Sequence, residues 1–131
     1  MISPKIIKLA SDTKFAGLKN IFTHKSSVKN SLCGDLIKIE IIANKTKIKS
    51  MRYETESCII CEASASLLAK KIKNFNLKEL KNNYKQFNKN KKVNFSSKFK
   101  IFNQLLIKKN KNRINCVILP MEALFKALKI N

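Results

Sequence analysis

Four side chains with metal-binding chemistry stand at three separated places in this sequence. Cys33 and Asp35 lie two positions apart, with Gly34 between them. Cys58 opens a run of apolar and small residues, and Cys116 stands near the end of the chain. Thiolates are soft ligands that suit zinc and iron–sulfur chemistry, whereas a carboxylate is a hard ligand. Three thiolates and one carboxylate are what a solvent-reachable metal or cluster site needs, so the pattern indicates metal chemistry.

A β-hairpin is the element that brings these residues together. Within residues 36–42, the run 37–41 alternates strictly between apolar and charged side chains, which predicts a half-buried strand. In residues 51–56, Met51, Tyr53 and Thr55 alternate with charged residues and predict a second strand. Ile48 is out of phase with the second set, so we expect a bulge or a break near Ser50. Antiparallel pairing brings the residue before the first strand and the residue after the second to one edge. Cys33 and Cys58 are therefore expected at the same edge of the sheet.

Helical patterns precede and follow this hairpin. A short apolar cluster predicts a first helix that ends near Gly17, and residues 21–32 look polar and irregular. After the hairpin, the composition predicts a helix that begins near Glu62. Pro120 predicts the first turn of a final helix, which places Cys116 a few residues before that helix. A helix, a hairpin and further helices predict an α+β fold in which the helices cover one face of the sheet.

Apolar residues recur every three or four positions in the second half of the chain. Such stripes are typical of helices that face a core, and less so of platforms on which nucleic-acid bases stack. Residues 88–94 and 108–112 are predicted as polar loops. The stripes comprise Leu77, Leu80, Tyr84 and Phe87, then Phe95, Phe99, Phe102 and Leu106, and finally Met121, Leu124, Phe125 and Leu128.

The charge of the chain allows a nucleic-acid partner without favouring one. The 131 residues fit one domain, residues 1–131, and carry a formal charge of +20. Basic residues release counterions from phosphates and so drive nucleic-acid binding. Here, however, 26 of the 28 basic residues are Lys spread along the whole chain, and the joint excess of Lys, Asn and Ile indicates an A/T-rich coding bias. A Lys-rich nucleic-acid-binding protein stays an alternative, which steep salt dependence of binding would reveal.

Cysteine usage and hydropathy indicate a reducing compartment. Four cysteines in a short chain could form disulfides, but the first thirty residues do not resemble a secretory leader. No stretch approaches the roughly 20 apolar residues of a membrane span. We therefore expect a soluble, cytoplasmic protein whose thiols are free or metal-bound.

Three segments resemble the signatures of the U-type iron–sulfur cluster scaffold family, which includes IscU, NifU and SufU proteins. They are residues 30–35 (NSLCGD), Cys58 followed by residues 63–66 (ASAS), and residues 113–124 (RINCVILPMEAL). The segments stand in the family's order, and the resemblance covers about residues 5–130. The long interval between the second and third signatures, together with the Arg-x-x-Cys and Leu-Pro sequences, resembles the SufU-like branch more than the IscU branch.

The resemblance implies a SufE/NifU-like α+β fold with a small antiparallel three-stranded sheet covered by helices. It implies that Cys33, Asp35, Cys58 and Cys116 bind zinc or a transient [2Fe-2S] cluster. A pyridoxal-phosphate cysteine desulfurase is the implied sulfur donor, with Cys116 as the persulfide acceptor, and apo-proteins receive the cluster. The expected function is therefore that of a scaffold and carrier for iron–sulfur cluster assembly, not of an enzyme. A zinc-dependent sulfurtransferase that partners a desulfurase is the alternative.

The chain departs from the family pattern at several positions. Ser31 and Ser57 stand where Pro and Gly are usual, and replacing a Gly that needs a positive φ would shift the ligand loops. Asn115 stands where the IscU branch carries His. The chaperone-binding sequence Leu-Pro-Pro-Val-Lys does not occur, so handover through an Hsp70-type chaperone is not expected.

Three further residues have open roles. Cys61, which has no fixed counterpart in the family, is interpreted as a spare thiol, as an alternate ligand or persulfide acceptor, or as half of a redox dithiol with Cys58. His24, the only histidine, is either a surface residue or a neighbour of the metal. Arg113 is either a surface residue or a group that favours anionic sulfur at Cys116.

Overall fold

A computed structural model describes residues 4–30, 34–74, 76–80, 101–102, 104–105 and 114–129 of the protein. In chain order the elements are α1 (Pro4–Ser11), β1 (His24–Lys29), β2 (Leu36–Ala43), β3 (Ile48–Glu56), α2 (Ile59–Lys71), a 3₁₀ turn (Ile72–Asn74) and α3 (Ile114–Ala127). The strands form an antiparallel sheet in the order β1-β2-β3. The expected α+β fold with a small three-stranded sheet is confirmed.

The inner face of the sheet follows from the alternation of apolar residues along the two predicted strands. Ile39 pairs with Tyr53 and Ile41 with Met51, and these four side chains are buried. Beyond them the register shifts between Ile42 and Ala43. The bulge expected near Ser50 is therefore confirmed, and it returns Ile48 to the buried side.

The prediction that residues 21–32 are irregular was wrong, because residues 24–29 form β1. This strand pairs with β2 along its whole length, from His24 opposite Ile41 to Lys29 opposite Leu36. Its side chains alternate between half-buried and exposed, and the exposed ones are polar. Edge strands tolerate such polar sequences, because only one side of the backbone pairs with another strand. Charged residues discourage the other side from pairing with a second protein chain. Apolar periodicity therefore gave no signal here.

Helix α2 lies in the middle of the fold. It packs against α1, α3 and β3, and α3 also packs against β1 and β2. Burial extends around most of the helix, and small side chains in the segment 63–66 let the neighbouring elements approach closely. A helix covered on all sides leaves only its ends near solvent, so its N-terminus at the sheet edge is the natural place for a site.

Two helix boundaries differ from the sequence expectation. Helix α1 ends at Ser11, not near Gly17, and the chain then crosses the outer face of the sheet. There the Glu40 carboxylate accepts hydrogen bonds from the backbone N–H groups of Lys19 and Asn20, at 2.9 and 3.0 Å. Helix α2 begins at Ile59, three residues before Glu62.

The prediction that Pro120 opens the final helix was also wrong. Pro120 lies inside α3, which begins at Ile114. Proline lacks the N–H that a helix interior normally uses, so a sequence pattern places it at a helix start. Here the residue is buried, and the packing of α3 on the sheet and on α2 outweighs that local preference.

The apolar stripes belong to the core wherever they fall on described residues. Leu80, Phe102, Met121, Leu124 and Phe125 are buried, which confirms the core interpretation for them. Tyr84, Phe87, Phe95, Phe99 and Leu106, and the expected loops at 88–94 and 108–112, lie outside the described residues. Within the described part of the chain, no helix combines the length and the apolar character needed to cross a bilayer.

Candidate metal centre

Three of the four candidate ligands converge at one edge of the sheet. One carboxylate oxygen of Asp35 and the Sγ atoms of Cys58 and Cys116 all lie within 4.8 Å of one another. Asp35 precedes β2, Cys58 follows β3, and Cys116 lies in α3. The expected meeting of the two strand ends is thus seen for Asp35 and Cys58. Cys33, the fourth candidate, lies outside the described residues.

Sheet pairing and a tight backbone turn position Asp35. Its neighbour Leu36 pairs with Lys29 on one side and with Glu56 on the other, so the residue stands at the rim of the central strand. The N–H of Asn30 donates to the carbonyl of Asp35, and the N–H of Gly34 donates to the carbonyl of Asn30, both at 2.7 Å. Gly34 has a φ of 73°, a conformation that costs any other residue strain.

Cys58 is the N-cap residue of α2. Its backbone is extended, with φ −72° and ψ 165°, and its side chain makes no capping hydrogen bond. The positive end of the helix dipole and the free N–H groups of the first turn stabilise an anionic sulfur at this position. Ser57 does not have the positive φ that the usual Gly would suggest, because the only described non-glycine residues with positive φ are Asn20 and Lys129. That substitution therefore does not strain the ligand loop.

A hydrogen bond between helices helps to position Cys116. This cysteine lies in the first turn of α3, and Pro120, four residues later, has no N–H to donate to its carbonyl. One residue further on, the buried hydroxyl of Ser64 in α2 donates to the carbonyl of Val117 at 2.6 Å. This bond ties the turn that carries Cys116 directly to the helix that Cys58 caps.

Ser64 stands in the segment 63–66 that resembles a family signature, and no role was predicted for it from the sequence. A serine between alanines in a helix that must be buried needs a hydrogen-bond partner, because its hydroxyl leaves water. This need for a partner is the feature of the segment 63–66 from which a structural role for Ser64 could have been predicted. The identity of the partner, a carbonyl 53 positions away, depends on how α2 and α3 pack and was not available from the sequence.

The electrostatics and burial of the site suit an exchangeable metal. Cys58 caps α2 and Cys116 lies in the first turn of α3, so two positive helix ends lie close to three groups that bind metal as anions. Asp35 and Cys116 are 6% and 3% exposed, whereas Cys58 is half-buried. Ligand atoms around a tetrahedral metal stand about 3.3–3.8 Å apart, given bonds of about 2.0–2.3 Å. The observed spacing therefore needs only a small contraction to close on an ion.

Cys61 lies in the first turn of α2 and is completely buried. Burial raises the pKa of its thiol to about 12, although a hydrogen bond with the Ser57 side chain lowers it. The charges of Asp35 and Cys58 also raise this pKa, so the Cys61 sulfur lies within reach of their fields. Cys58, Cys61 and Cys116 do not form disulfides.

The remaining candidates lie away from the site or outside the described residues. His24 pairs with Ile41 at the far end of the β1–β2 ladder, five residues from Lys29 and Leu36. At about 3.3 Å per residue this is about 17 Å from the rim, and the ring nitrogen Nδ1 of His24 instead contacts the Thr23 hydroxyl at 2.8 Å. Arg113 and Ser31 are outside the described residues.

A matched pair of glycine variants tests the position of the ligand turn. Gly34 and Gly17 both have positive φ, 73° and 91°, and an added Cβ would meet nothing within 4 Å at either. Each change to Ala should therefore destabilise the fold by about 1 kcal/mol through backbone strain alone, measured by urea unfolding. Only Gly34→Ala should also weaken zinc binding, because it moves Asp35. Equal zinc affinities in the two variants would contradict this account of the turn.

A second matched pair tests the bond that positions Cys116. Ser64 and Ser66 are both buried in α2, but Ser66 donates to the carbonyl of Asp12, at 3.3 Å. Ser64→Ala and Ser66→Ala should each lower the free energy of unfolding by about 1 kcal/mol. Zinc affinity, measured by competition with a chelator, should fall only in Ser64→Ala. A parallel loss of affinity in Ser66→Ala would mean that stability in general, not the position of Cys116, governs binding.

Comparison with known proteins places this geometry in a family. The model of the NifU-like N-terminal domain matches residues 1–130. The chain is similar to the iron–sulfur cluster assembly scaffold protein IscU of Thermotoga maritima, with 30% identity over 132 residues that cover 98% of this chain and 93% of that protein.

Solved structures share the fold. One is a putative iron–sulfur cluster assembly scaffold protein for the SUF system from Fervidobacterium islandicum AW-1, with a TM-score of 0.75, 22% identity, and coverage of 97% of this chain and 96% of that one. Another is the N-terminal part of a nitrogen-fixing NifU-like protein from Brucella abortus, with a TM-score of 0.77, 16% identity, and coverage of 97% and 91%. This chain is a member of the NifU-like N-terminal domain family.

Proposed function

We propose that this protein is a scaffold for iron–sulfur cluster assembly, with the site in one domain that spans residues 1–131. The observation that carries the proposal is the convergence of Asp35, Cys58 and Cys116 within 4.8 Å, from three separate elements, in a member of this family. The relative from Thermotoga maritima carries the name of such a scaffold, which supports the same function here.

The cargo is iron or a transient [2Fe-2S] cluster, and its ligands are Cys33, Asp35, Cys58 and Cys116. Thiolates hold soft metals firmly, whereas one carboxylate oxygen is a weaker ligand for them. A half-buried Cys58 keeps one side of the site open to an acceptor. Firm thiolates with one exchangeable oxygen suit a protein that must release what it binds, so it acts as a carrier without catalytic turnover.

Sulfur comes from the persulfide of a pyridoxal-phosphate cysteine desulfurase. The Cys116 thiolate attacks the outer sulfur of the donor persulfide, a new sulfur–sulfur bond forms on Cys116, and the donor cysteine leaves as a thiolate. The N-terminal end of α3 stabilises the Cys116 thiolate for this attack. The assembled cluster then passes to apo-proteins. Such chemistry needs reduced thiols and therefore a reducing compartment, the cytoplasm.

Removing one thiolate tests the site directly. Cys58→Ser should weaken iron or zinc binding by at least about 100-fold, because changes outside the ligand set alone cost about 10- to 100-fold. Metal per protein, measured by elemental analysis after purification without oxygen, gives the result. Cys61→Ser is the matched control on the same helix end and should keep nearly all its metal. Unchanged metal in Cys58→Ser, or a large loss in Cys61→Ser, would contradict the proposed ligands.

Reconstitution separates a scaffold from a zinc-dependent sulfurtransferase. With ferrous iron and sulfide under anaerobic conditions, the wild-type protein should develop the visible absorption of a labile [2Fe-2S] cluster. A protein that holds only zinc and forms no cluster, under conditions that load a control scaffold, would favour the sulfurtransferase.

Replacing the hard carboxylate ligand of Asp35 by a soft thiolate tests the role of the carboxylate. Asp35→Cys supplies a fourth thiolate in place of the oxygen, so the bound cluster or metal should be released more slowly. Transfer of iron from the reconstituted protein to a chelator, followed by absorbance, should be at least about tenfold slower than in the wild type if exchange depends on that oxygen. Equal release rates would show that another feature limits exchange.

A further inference from the structure

Cys58 and Cys61 occupy the two positions at a helix start whose side chains approach each other. Cys58 is the N-cap residue of α2, and Cys61 is the third residue of the helix. These are the positions that face each other in a capping box, where each side chain reaches back toward the other residue. A Cys-x-x-Cys pair at a helix start is also the arrangement of thiol–disulfide oxidoreductases, in which the two cysteines form a disulfide. The two thiols can therefore join.

The surroundings of the two sulfur atoms differ in a way that gives them different roles. Cys58 is half-buried on the rim and lies within 4.8 Å of the sulfur of Cys116. Cys61 is fully buried, so a reagent from solvent does not reach it directly. It lies in the first turn of the helix that Cys58 caps, and the charges of Asp35 and Cys58 raise the pKa of its thiol. Cys61 thus lies at the same end of α2 as the site.

The proposed function leaves one chemical requirement without a supplier. A cluster contains sulfide, whereas a persulfide delivers sulfur at a higher oxidation level, so two electrons must be added before the sulfur can bridge two irons. A thiol next to the persulfide can supply them by forming a disulfide. The pair at the start of α2 offers such a thiol.

We propose that Cys61 is the resolving thiol that converts a persulfide on Cys58 into free hydrosulfide. The proposal rests on the proposed function and deepens it. The Cys61 sulfur attacks Sγ of Cys58, the Cys58–Cys61 disulfide forms, and the bond to the outer sulfur breaks. The thiol proton of Cys61 passes to that outer sulfur, which leaves as hydrosulfide. The outer sulfur is reduced and the Cys61 sulfur is oxidised, so atoms, charge and electrons balance.

Sulfur that first arrives on Cys116 reaches Cys58 by the same exchange. The Cys58 thiolate attacks the outer sulfur of the Cys116 persulfide, and Cys116 leaves as a thiolate; the two Sγ atoms lie within 4.8 Å. After hydrosulfide has left, a dithiol reductant returns Cys58 and Cys61 to thiols and becomes a disulfide itself. Cys58 is then free again to bind metal.

A single-turnover experiment tests this step without a desulfurase. Reduced, metal-free protein receives one equivalent of inorganic polysulfide, and hydrosulfide release and intact mass are followed in the absence of any reductant. The wild type should release hydrosulfide and lose the mass of two hydrogens, and peptide mapping should find Cys58 joined to Cys61. Cys61→Ser and Cys61→Ala should retain the added sulfur and release hydrosulfide at least about tenfold more slowly. Thermal unfolding checks that both variants are folded.

Several results would overturn the proposal. One is a folded Cys61 variant that releases hydrosulfide as fast as the wild type. Another is a disulfide that joins Cys58 to Cys116 and not to Cys61. A third is that neither the wild type nor the variants carry added sulfur on Cys58. Cluster reconstitution from iron and inorganic sulfide uses no persulfide, so Cys61→Ser should still support it. Failure of the wild type in that reconstitution would count against the scaffold function alone, whereas the polysulfide result bears on Cys61 alone.

Discussion

The rest of the structure depends on holding three anionic ligands close together. When Asp35, Cys58 and Cys116 are ionised, as metal binding requires, each pair repels by about 3 kcal/mol at 4.8 Å and an effective dielectric constant of about 20. Two helix N-termini offset part of this repulsion with their positive ends, and a bound cation offsets the remainder. The sheet, the central helix and the final helix can therefore be understood as the frame that holds this group of like charges.

Each ligand is held in a different way. Asp35 is held by strand pairing and by a turn that needs the positive φ of Gly34. Cys58 is held by the start of a helix that the core surrounds. Cys116 depends most on tertiary contacts, because Pro120 cannot donate to its carbonyl and Ser64 bonds the next one. The first two positions are set locally, whereas the third is set by how α2 packs on α3.

This difference explains how much could be predicted from the sequence. Alternating residues identified β2, β3 and the bulge near Ser50, and the pairing of those strands brought Asp35 and Cys58 together. The polar β1 carried no apolar signal, since an edge strand draws its stability from its partner. Proline prefers the first turn of a helix, so the sequence predicted that Pro120 begins one. In the structure Pro120 lies inside α3, because the packing of that buried helix outweighs the preference. Ser64 had a recognisable need for a partner, and only the fold supplies which one.

Because the site joins the ends of separate elements, binding and folding must be linked. A cation that pulls the ligand atoms together also fastens the end of β2 to the starts of α2 and α3, so binding stabilises the folded state by mass action. The same linkage acts in reverse, because any change that takes Cys58 out of the ligand set loosens the hold on the cargo. A disulfide with the buried Cys61 would be such a change. Sulfide production and metal binding would then compete for one sulfur atom, and cluster assembly would have to alternate between them.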